Sequence, residues 1–148
     1  MIRLSVPGTL LHRDLVLRVV ASSCKLLRKR EDRSQEPSHA DDHTFDNEVV
    51  SAVGEVFNNI AIHGYAGETS GTVELEFELV GDELRIRMAD TGKSFDLGHD
   101  TATELPALPE SHMGLFIVRS FMDDVRYLPR EAPDRPNVFV LTKRYVRR

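Results

Sequence analysis

Residues 55–65, EVFNNIAIHGY, decide how the rest of the sequence is interpreted. At about 3.6 residues per helical turn, Glu55 and Asn59 lie on the same face of a helix, one above the other. A carboxylate and an amide at this spacing can serve a cation and an activated water side by side. The alternative is that both side chains belong to the solvated face of an amphipathic helix.

The helix that contains this stretch is predicted to be the longest in the chain. It begins near Thr44 or Asp46 and runs to about His63, because Gly64 is a natural terminator. Apolar residues recur at helical spacing on roughly the side opposite to Glu55, and this periodicity predicts a core face. That face consists of Val49, Val53, Val56, Phe57 and Ile60.

The chain before the central helix is predicted to contain a strand and a helix. Residues 2–6 alternate in polarity and precede Pro7-Gly8, which indicates a short strand and a turn. A helix follows over residues 9–27, whereas residues 31–43 carry charges, serines and a proline and are expected to form a mobile loop. The predicted apolar stripe of this first helix is Leu11, Leu15, Val19, Ser22 and Leu26, and Leu10, Leu17, Val20 and Ala21 widen this face.

An antiparallel hairpin is the clearest strand signal in the chain. Apolar and mostly acidic residues alternate over residues 72–80, and Gly81-Asp82 makes a tight turn in which the glycine has a positive φ. The returning strand places its apolar residues inward and Arg85 and Arg87 opposite the glutamates. We therefore predict a hairpin that is buried on one face and solvated on its charged face.

The remaining chain is predicted to supply a strand end, a long loop and a helix start. Asp90 stands where the buried strand ends, so its carboxylate can accept from an exocyclic amine, and Gly92 lets the backbone approach a ligand closely. Residues 97–111 are long enough to form a lid. The helix that begins at Gly114 offers free backbone N–H groups to an anion. Two further strands are predicted over residues 125–128 and 138–146.

Length and composition restrict the possible function classes. The 148 residues fit a single domain over residues 1–148, and 41% hydrophobic and 29% charged residues are typical of a globular protein. A net charge of −5 argues against direct nucleic-acid binding. The single cysteine, Cys24, excludes an intramolecular disulfide and indicates a reducing compartment. Because no stretch has the apolar length of a bilayer span or the apolar core of a signal peptide, we expect a cytoplasmic protein without membrane association.

Short motifs in a fixed order give the chain a family resemblance. They are EVFNNIAIHGY, then DTGKSFD at residues 90–96, then MGLFIV at residues 113–118. Together they resemble the ATP boxes of the GHKL ATPase superfamily, and most of all those of the bacterial anti-sigma factor serine/threonine kinases (the RsbW and SpoIIAB type). The resemblance extends over nearly the whole chain except residues 31–43. It implies the GHKL (Bergerat) fold, an α/β (α+β) two-layer sandwich with a mixed, largely antiparallel sheet and helices on one face.

The resemblance implies roles in catalysis, metal binding and adenine binding for four residues. Glu55 would be the general base that takes the proton from an attacking serine hydroxyl, and Asn59 would hold Mg²⁺. Asp90 would accept from the adenine amino group, directly and through water, and Gly92 would flank the ring. These roles predict ATP and Mg²⁺ as the ligands of the site.

The phosphate side of the site is implied in the same way. Residues 97–111 would be the lid over the phosphates, and Gly114 and Leu115 would bind phosphate through their backbone N–H groups. Lys93 could add positive charge near the phosphates, although plain solvation is the favoured interpretation of a loop lysine.

Ser94 and His112 depart from the family pattern. Each introduces a Cβ where relatives usually carry a glycine close to the nucleotide, at a cost of about 1 kcal/mol or more if φ is positive. His112 could instead contact a phosphate, although a histidine tolerated in a loosened lid is the favoured interpretation. Pro136-Asn137 also stands where relatives often carry Gly-Thr, so one polar nucleotide contact is in question. These departures are expected to weaken nucleotide binding without abolishing it.

The leading hypothesis is an anti-sigma factor that uses Mg-ATP to phosphorylate a serine on a STAS-domain antagonist. Such proteins sequester a sigma factor, release it when the unphosphorylated antagonist binds, and are commonly homodimers. A different class is a partner-switching module that binds sigma factor or STAS protein without useful kinase activity, which Ser94 and His112 favour. Two weaker alternatives are a histidine-kinase catalytic domain, for which no dimerisation helix with an acceptor histidine is found, and an interaction domain that binds no nucleotide.

Overall fold

A computed structural model describes residues 1–31, 40–95 and 113–145. In chain order these residues form strand β1 (Ile2–Pro7), a 3₁₀ turn (Leu10–His12), helix α1 (Arg13–Glu31), helix α2 (Ala40–Asn59), a π-helical turn (Ile60–Gly64), strands β2 (Thr72–Val80) and β3 (Glu83–Asp90), helix α3 (Met113–Phe121), and strands β4 (Asp124–Leu128) and β5 (Asn137–Arg144). The predicted lid at residues 97–111, His112, and residues 32–39 of the predicted mobile loop lie outside the described residues.

The five described strands form one sheet in the order β1-β2-β3-β5-β4. All of their pairings are antiparallel, so the described sheet has no parallel pair. The β2–β3 hairpin has the predicted register, with Glu76 opposite Arg87 and Glu78 opposite Arg85. Gly81 in its turn has a φ of 61°, as predicted.

The helices cover one face of the sheet, and the core lies between these two layers. Helix α2 packs against both α1 and α3 and is therefore the central helix of its layer. Its predicted core face is confirmed, since all five of those side chains are fully buried. None of the described helices combines the length and the apolar character that a membrane crossing requires. The sheet contributes Val73, Leu75, Phe77, Leu84, Ile86, Met88, Phe139 and Leu141 to the core.

Helix α2 begins earlier than predicted and ends at Asn59, before the predicted end near His63. Its first residue is Ala40, so the prediction of a loop through residue 43 is wrong for the described residues. The predicted start relied on apolar spacing, which is absent from the polar first turn. After Asn59 the chain continues as the π-helical turn, in which the N–H of Tyr65 donates to the Ile60 carbonyl at 2.8 Å. The helical conformation ends at Gly64, as the sequence indicated.

Helix α1 faces the core with a different row of residues from the predicted one. Leu11, Leu15 and Leu26 are 86%, 50% and 56% exposed, so the predicted stripe is wrong, although Val20 of the wider predicted face is buried. The sequence carries two rows of residues at helical spacing, and periodicity alone cannot decide which row turns inward. The row that is buried consists of Val16, Val20, Ser23, Cys24 and Leu27.

The orientation of α1 predicts different costs for two neighbouring alanine substitutions. Val20→Ala should reduce the free energy of unfolding by about 1 to 3 kcal/mol, because it removes fully buried methyl groups. Leu15→Ala should change it by no more than about 0.5 kcal/mol, because that side chain is half exposed. Urea unfolding followed by circular dichroism measures both. Equal losses in the two variants would contradict the described orientation.

Candidate functional site

The end of the central helix lies directly against the segment that follows β3. The backbone N–H of Lys93 donates to the Gly64 carbonyl at 2.8 Å. A Cβ on Gly92 would lie 2.7 Å from both the carbonyl carbon and the carbonyl oxygen of Gly64, and these backbone atoms cannot move aside easily. Glycine at position 92 is therefore required by contact with the protein's own helix end, in addition to any ligand.

Tyr65 holds the same junction together from the other side. Its buried hydroxyl accepts the backbone N–H of Thr91 at 2.9 Å and donates to the Thr72 carbonyl at 2.5 Å. Its ring lies so close to Gly8 and Gly71 that a Cβ on either residue would overlap it. Tyr65 thus connects the end of α2 to the ends of β1, β2 and β3. This role was not predicted from the sequence, where Tyr65 is only the last residue of the first motif.

The segment after β3 is also held at its far end. The backbone N–H of Phe95 donates to the Tyr127 hydroxyl at 2.9 Å. The Phe95 ring packs against those of Tyr127 and Phe139, with ring centroids 5.7 and 6.0 Å away. Residues 91–95 are therefore fixed at both ends although they belong to no helix or strand.

Asp90 is buried at the end of β3, and one of its carboxylate oxygens accepts two hydrogen bonds. Its Oδ1 accepts the Gly92 N–H at 2.9 Å and the Asn137 side-chain amide at 3.1 Å. Its Oδ2 is buried and has no hydrogen-bond partner among the described residues. Burial raises the pKa of the carboxyl above its ordinary value of 3.8 and outweighs the two hydrogen bonds and the charge of Arg130, which lower it. The free oxygen is a strong acceptor that lacks a donor.

Asn137, which the sequence marked only as a departure from the family pattern, is a hydrogen-bond partner of Asp90. Its side chain is fully buried at the start of β5, directly opposite Asp90 in the register. Besides Asp90, the amide nitrogen donates to the Gly92 carbonyl at 2.9 Å. The amide oxygen accepts from the Ser94 hydroxyl at 2.6 Å and from the Arg130 N–H at 2.9 Å. All of the hydrogen-bonding capacity of this amide is therefore used.

Ser94 does not carry the backbone strain that the sequence analysis considered. Among the described residues, Ala66 is the non-glycine residue with a positive φ, at 51°, so Ser94 has an ordinary backbone conformation. Its hydroxyl donates to Asn137 inside the protein. The side chain that replaces a family glycine is thus part of the internal hydrogen-bond network.

Glu55 lies against the first turn of α3 and is not on a solvated face. The side chain is half-buried, and a Cβ on Gly114 would lie 2.7 Å from its Oε2. Because α3 begins at Met113, the N–H groups of Gly114 and Leu115 have no acceptor within the helix. Asn59 is also half-buried, one turn further along α2. The structure therefore brings Glu55 to the predicted helix start, whereas no described contact joins Asn59 to α3.

Helix α3 is fixed on α2 at its other end by Lys143. The Lys143 ammonium group donates to the Phe121 carbonyl at 2.5 Å and forms an ion pair with Glu48 of α2 at 2.7 Å. The lysine side chain is only 13% exposed, so this pair is less screened by water than a surface pair. Both ends of α3 are thus placed relative to α2.

The side chains of the remaining predicted site residues make no described contact with Glu55 or Asp90. Lys93 contributes its backbone to the junction, but its side chain is exposed, in agreement with the solvated interpretation. Leu115 is 8% exposed and packs into the core, which leaves only its backbone for a ligand. His112 lies outside the described residues.

Residues 13–141 match the family described as "Histidine kinase-like ATPase domain". The chain belongs to this family. As an ATPase domain of this family it is similar to proteins named "Serine-protein kinase RsbW", which confirms the resemblance found in the sequence. The protein of that name from Bacillus cereus (strain AH187) is 31% identical over 105 residues, which are 66% of this chain and 62% of the relative. The one from Listeria monocytogenes serovar 1/2a is 31% identical over 83 residues, which are 51% of this chain and 53% of the relative.

The matches cover only part of each similar protein. The chain spans 62% of the length of the Bacillus cereus relative. Among solved structures, a histidine kinase domain from the Erythrobacter litoralis EL346 blue-light activated histidine kinase matches with a TM-score of 0.54 and 16% identity, over 94% of this chain and 61% of that one. At that identity the match supports the fold alone, which is the expected α+β fold of GHKL type.

The close approach at Gly92 predicts an asymmetry between two glycines of the junction. Gly92→Ala should reduce the free energy of unfolding by about 2 kcal/mol or more, because the added methyl group meets backbone atoms. Gly64→Ala is the matched control and should cost no more than about 1 kcal/mol, because its Cβ would meet only atoms 3.8 Å away. Urea unfolding of both variants tests this. A Gly92→Ala variant as stable as the wild type would show that the two segments do not lie in contact.

Proposed function

We propose that this chain, as a single domain over residues 1–148, is an ATP-dependent protein serine/threonine kinase of the anti-sigma factor type. It would phosphorylate a serine on a STAS-domain antagonist and thereby control the sequestration of a sigma factor. The observation that carries the proposal is the position of Glu55, whose carboxylate lies against the first turn of α3. The similarity to relatives named serine-protein kinase supports it.

The adenine end of the proposed site is the free oxygen of Asp90. A buried acceptor without a donor is unfavourable, and an exocyclic amine would satisfy it. Because Oδ1 already accepts two N–H groups, Oδ2 is the oxygen that would meet the adenine amino group. Gly92 is buried against the Gly64 backbone, so its expected place beside the ring rests on the family resemblance. The residues present therefore fit an adenine base.

The phosphate end of the proposed site is the first turn of α3. Its first N–H groups, which have no acceptor within the helix, and the positive end of the helix dipole favour an anion at Gly114 and Leu115. Asn59 would hold Mg²⁺ together with phosphate oxygens, since Mg²⁺ is usually bound by one or two protein groups, phosphates and water. Among the described residues, no cluster of three or more acidic, histidine or cysteine side chains could hold a metal by itself. Bound Mg²⁺ would supply charge neutralisation at the phosphates.

Glu55 would act as the general base. It would accept the proton of the substrate serine hydroxyl while that oxygen forms a bond to the terminal phosphorus and the bond to ADP breaks. Glu55 lies one turn from Asn59, the proposed Mg²⁺ ligand, and its carboxylate lies beside Gly114, a proposed phosphate contact. Phosphoryl transfer depends on such positioning more than on covalent help from the protein.

A sigma factor and a STAS-domain antagonist are the proposed partners, and a homodimer is the proposed assembly. The proposal includes no direct binding to nucleic acid, in agreement with the net charge of −5. The alternative is a module that switches partners without catalysis. Ser94 no longer favours it, because the serine hydroxyl donates to Asn137 and the backbone there is unstrained. His112 is the residue on which that alternative depends.

Substitutions at Glu55 and Asn59 should separate catalysis from binding. Asn59→Ala should abolish the Mg²⁺-dependent part of ATP binding, measured with a fluorescent ATP analogue. Glu55→Gln keeps the shape of the side chain and should leave ATP affinity within about threefold of wild type while reducing transfer to the STAS protein by about 100-fold or more. Phosphotransfer at the wild-type rate in Glu55→Gln would show that Glu55 is not the base.

Acidification should weaken ATP binding through Asp90. As the pH falls through the raised pKa of Asp90, the proton goes to the unoccupied Oδ2, which then donates and can no longer accept readily from an amine. Because the pKa of Asp90 is higher in the folded than in the unfolded state, protonation of Asp90 itself adds to the free energy of unfolding and does not unfold the protein. Asp90→Asn should bind ATP weakly and without this pH dependence. Titration of ATP at several pH values, with unfolding measured in parallel, tests both statements.

A further inference from the structure

The two described departures from the family pattern contact each other. Ser94 stands in the second motif, and Asn137 stands at the start of the last strand, far along the chain. The Ser94 hydroxyl donates to the Asn137 amide oxygen at 2.6 Å, a short hydrogen bond between a half-buried and a fully buried side chain. Two changes that look independent in the sequence are therefore a single structural unit.

The neighbours of Asn137 allow its amide only one orientation. The backbone N–H of Arg130 can only donate, so it requires the amide oxygen on its side. The Gly92 carbonyl can only accept, so it requires the amide nitrogen on the opposite side. A flipped amide would place donor against donor and acceptor against acceptor. Ser94 adds a second donor to the amide oxygen and reinforces this orientation.

The orientation of the amide determines which oxygen of Asp90 is free. The second N–H of Asn137 donates to Asp90 Oδ1 at 3.1 Å, and that oxygen also accepts the Gly92 N–H. With Oδ1 held by two donors, the carboxylate cannot rotate without losing both. Oδ2 is left as a buried acceptor in a fixed position.

We propose that Ser94 and Asn137 are a pair of positioning residues that make the site selective for a 6-amino purine over a 6-oxo purine. Ser94 fixes the amide of Asn137, and Asn137 fixes Asp90. This inference rests on the proposed function, which places adenine at Asp90. A fixed carboxylate oxygen accepts from an exocyclic amine but repels the carbonyl oxygen that inosine and guanine nucleotides carry at the same ring position. A site with fixed, buried hydrogen-bonding groups discriminates far more strongly than one whose groups can turn.

The test compares ATP and inosine triphosphate on the full chain. Competition against a fluorescent ATP analogue gives both affinities for the wild type, Ser94→Ala, Asn137→Ala and the double variant. Asn137→Ala should weaken ATP by about tenfold or more and inosine triphosphate much less, so that the affinity ratio falls. Ser94→Ala should shift the ratio in the same direction by about threefold. In the Asn137→Ala background the serine change should have almost no further effect, because it acts through Asn137.

Three further variants complete the test. Ser94→Gly restores the glycine that relatives usually carry, and the pairing predicts that it lowers selectivity for ATP. Asn137→Thr keeps a polar group and serves if Asn137→Ala does not fold. Ser120→Ala is the matched control, since Ser120 also donates a side-chain hydrogen bond, to the Phe116 carbonyl at 2.8 Å, but has no contact with this network. It should leave the ratio unchanged.

The outcomes separate this inference from the proposed function. If the wild type prefers ATP and none of the Ser94 and Asn137 variants changes the affinity ratio, the pairing is wrong and the adenine site stands. If Ser94→Gly binds ATP more tightly and more selectively than the wild type, the serine is a defect and the pairing is again wrong. If the wild type binds neither nucleotide, the adenine site itself is wrong and the inference fails with it.

Discussion

The structure depends on the contact between the end of the central helix and the segment after β3. Gly92 has no side chain, so the backbone of residues 91–93 can lie against Gly64 and the Lys93 N–H can reach its carbonyl. This contact sets the distance between two halves of the proposed site: the helix face with Glu55 and Asn59, and the strand end with Asp90. A methyl group at position 92 would separate them. The glycine that would suit a ligand is thus also a requirement of the fold.

A buried polar network supports that contact from within the sheet. Asp90 is deprived of water, which raises its pKa, and the hydrogen bonds from Asn137 and Gly92 only partly compensate for the lost solvation. The protein therefore holds an acceptor that is only half satisfied at the place where a base would bind. Such an incompletely paired group costs stability in the free protein, and a ligand with a matching donor would recover part of that cost.

Local patterns predicted the parts of the fold that local chemistry determines. The hairpin around Gly81 and the core face of α2 follow from periods of two and 3.6 residues, and both are confirmed. The orientation of α1 could not be predicted, because its leucine row and its valine row have the same period. The role of Asn137 depends on β5 lying beside β3, a pairing between distant parts of the chain that carries no local signal. Position along the chain singled out the helix face of Glu55 and Asn59, the strand end at Asp90 and the helix start at Gly114, whereas the specific role of each residue came from the family resemblance.

The most direct test of this account is a titration of the wild-type chain with a fluorescent ATP analogue, with and without Mg²⁺. The account predicts saturable binding, with a dissociation constant on the order of 1 μM to 1 mM as is usual for enzyme substrates, that is tighter when Mg²⁺ is present. Absence of binding at millimolar nucleotide under both conditions would contradict it. The junction of α2 and β3 would then serve the fold alone, and the chain would act through protein contacts.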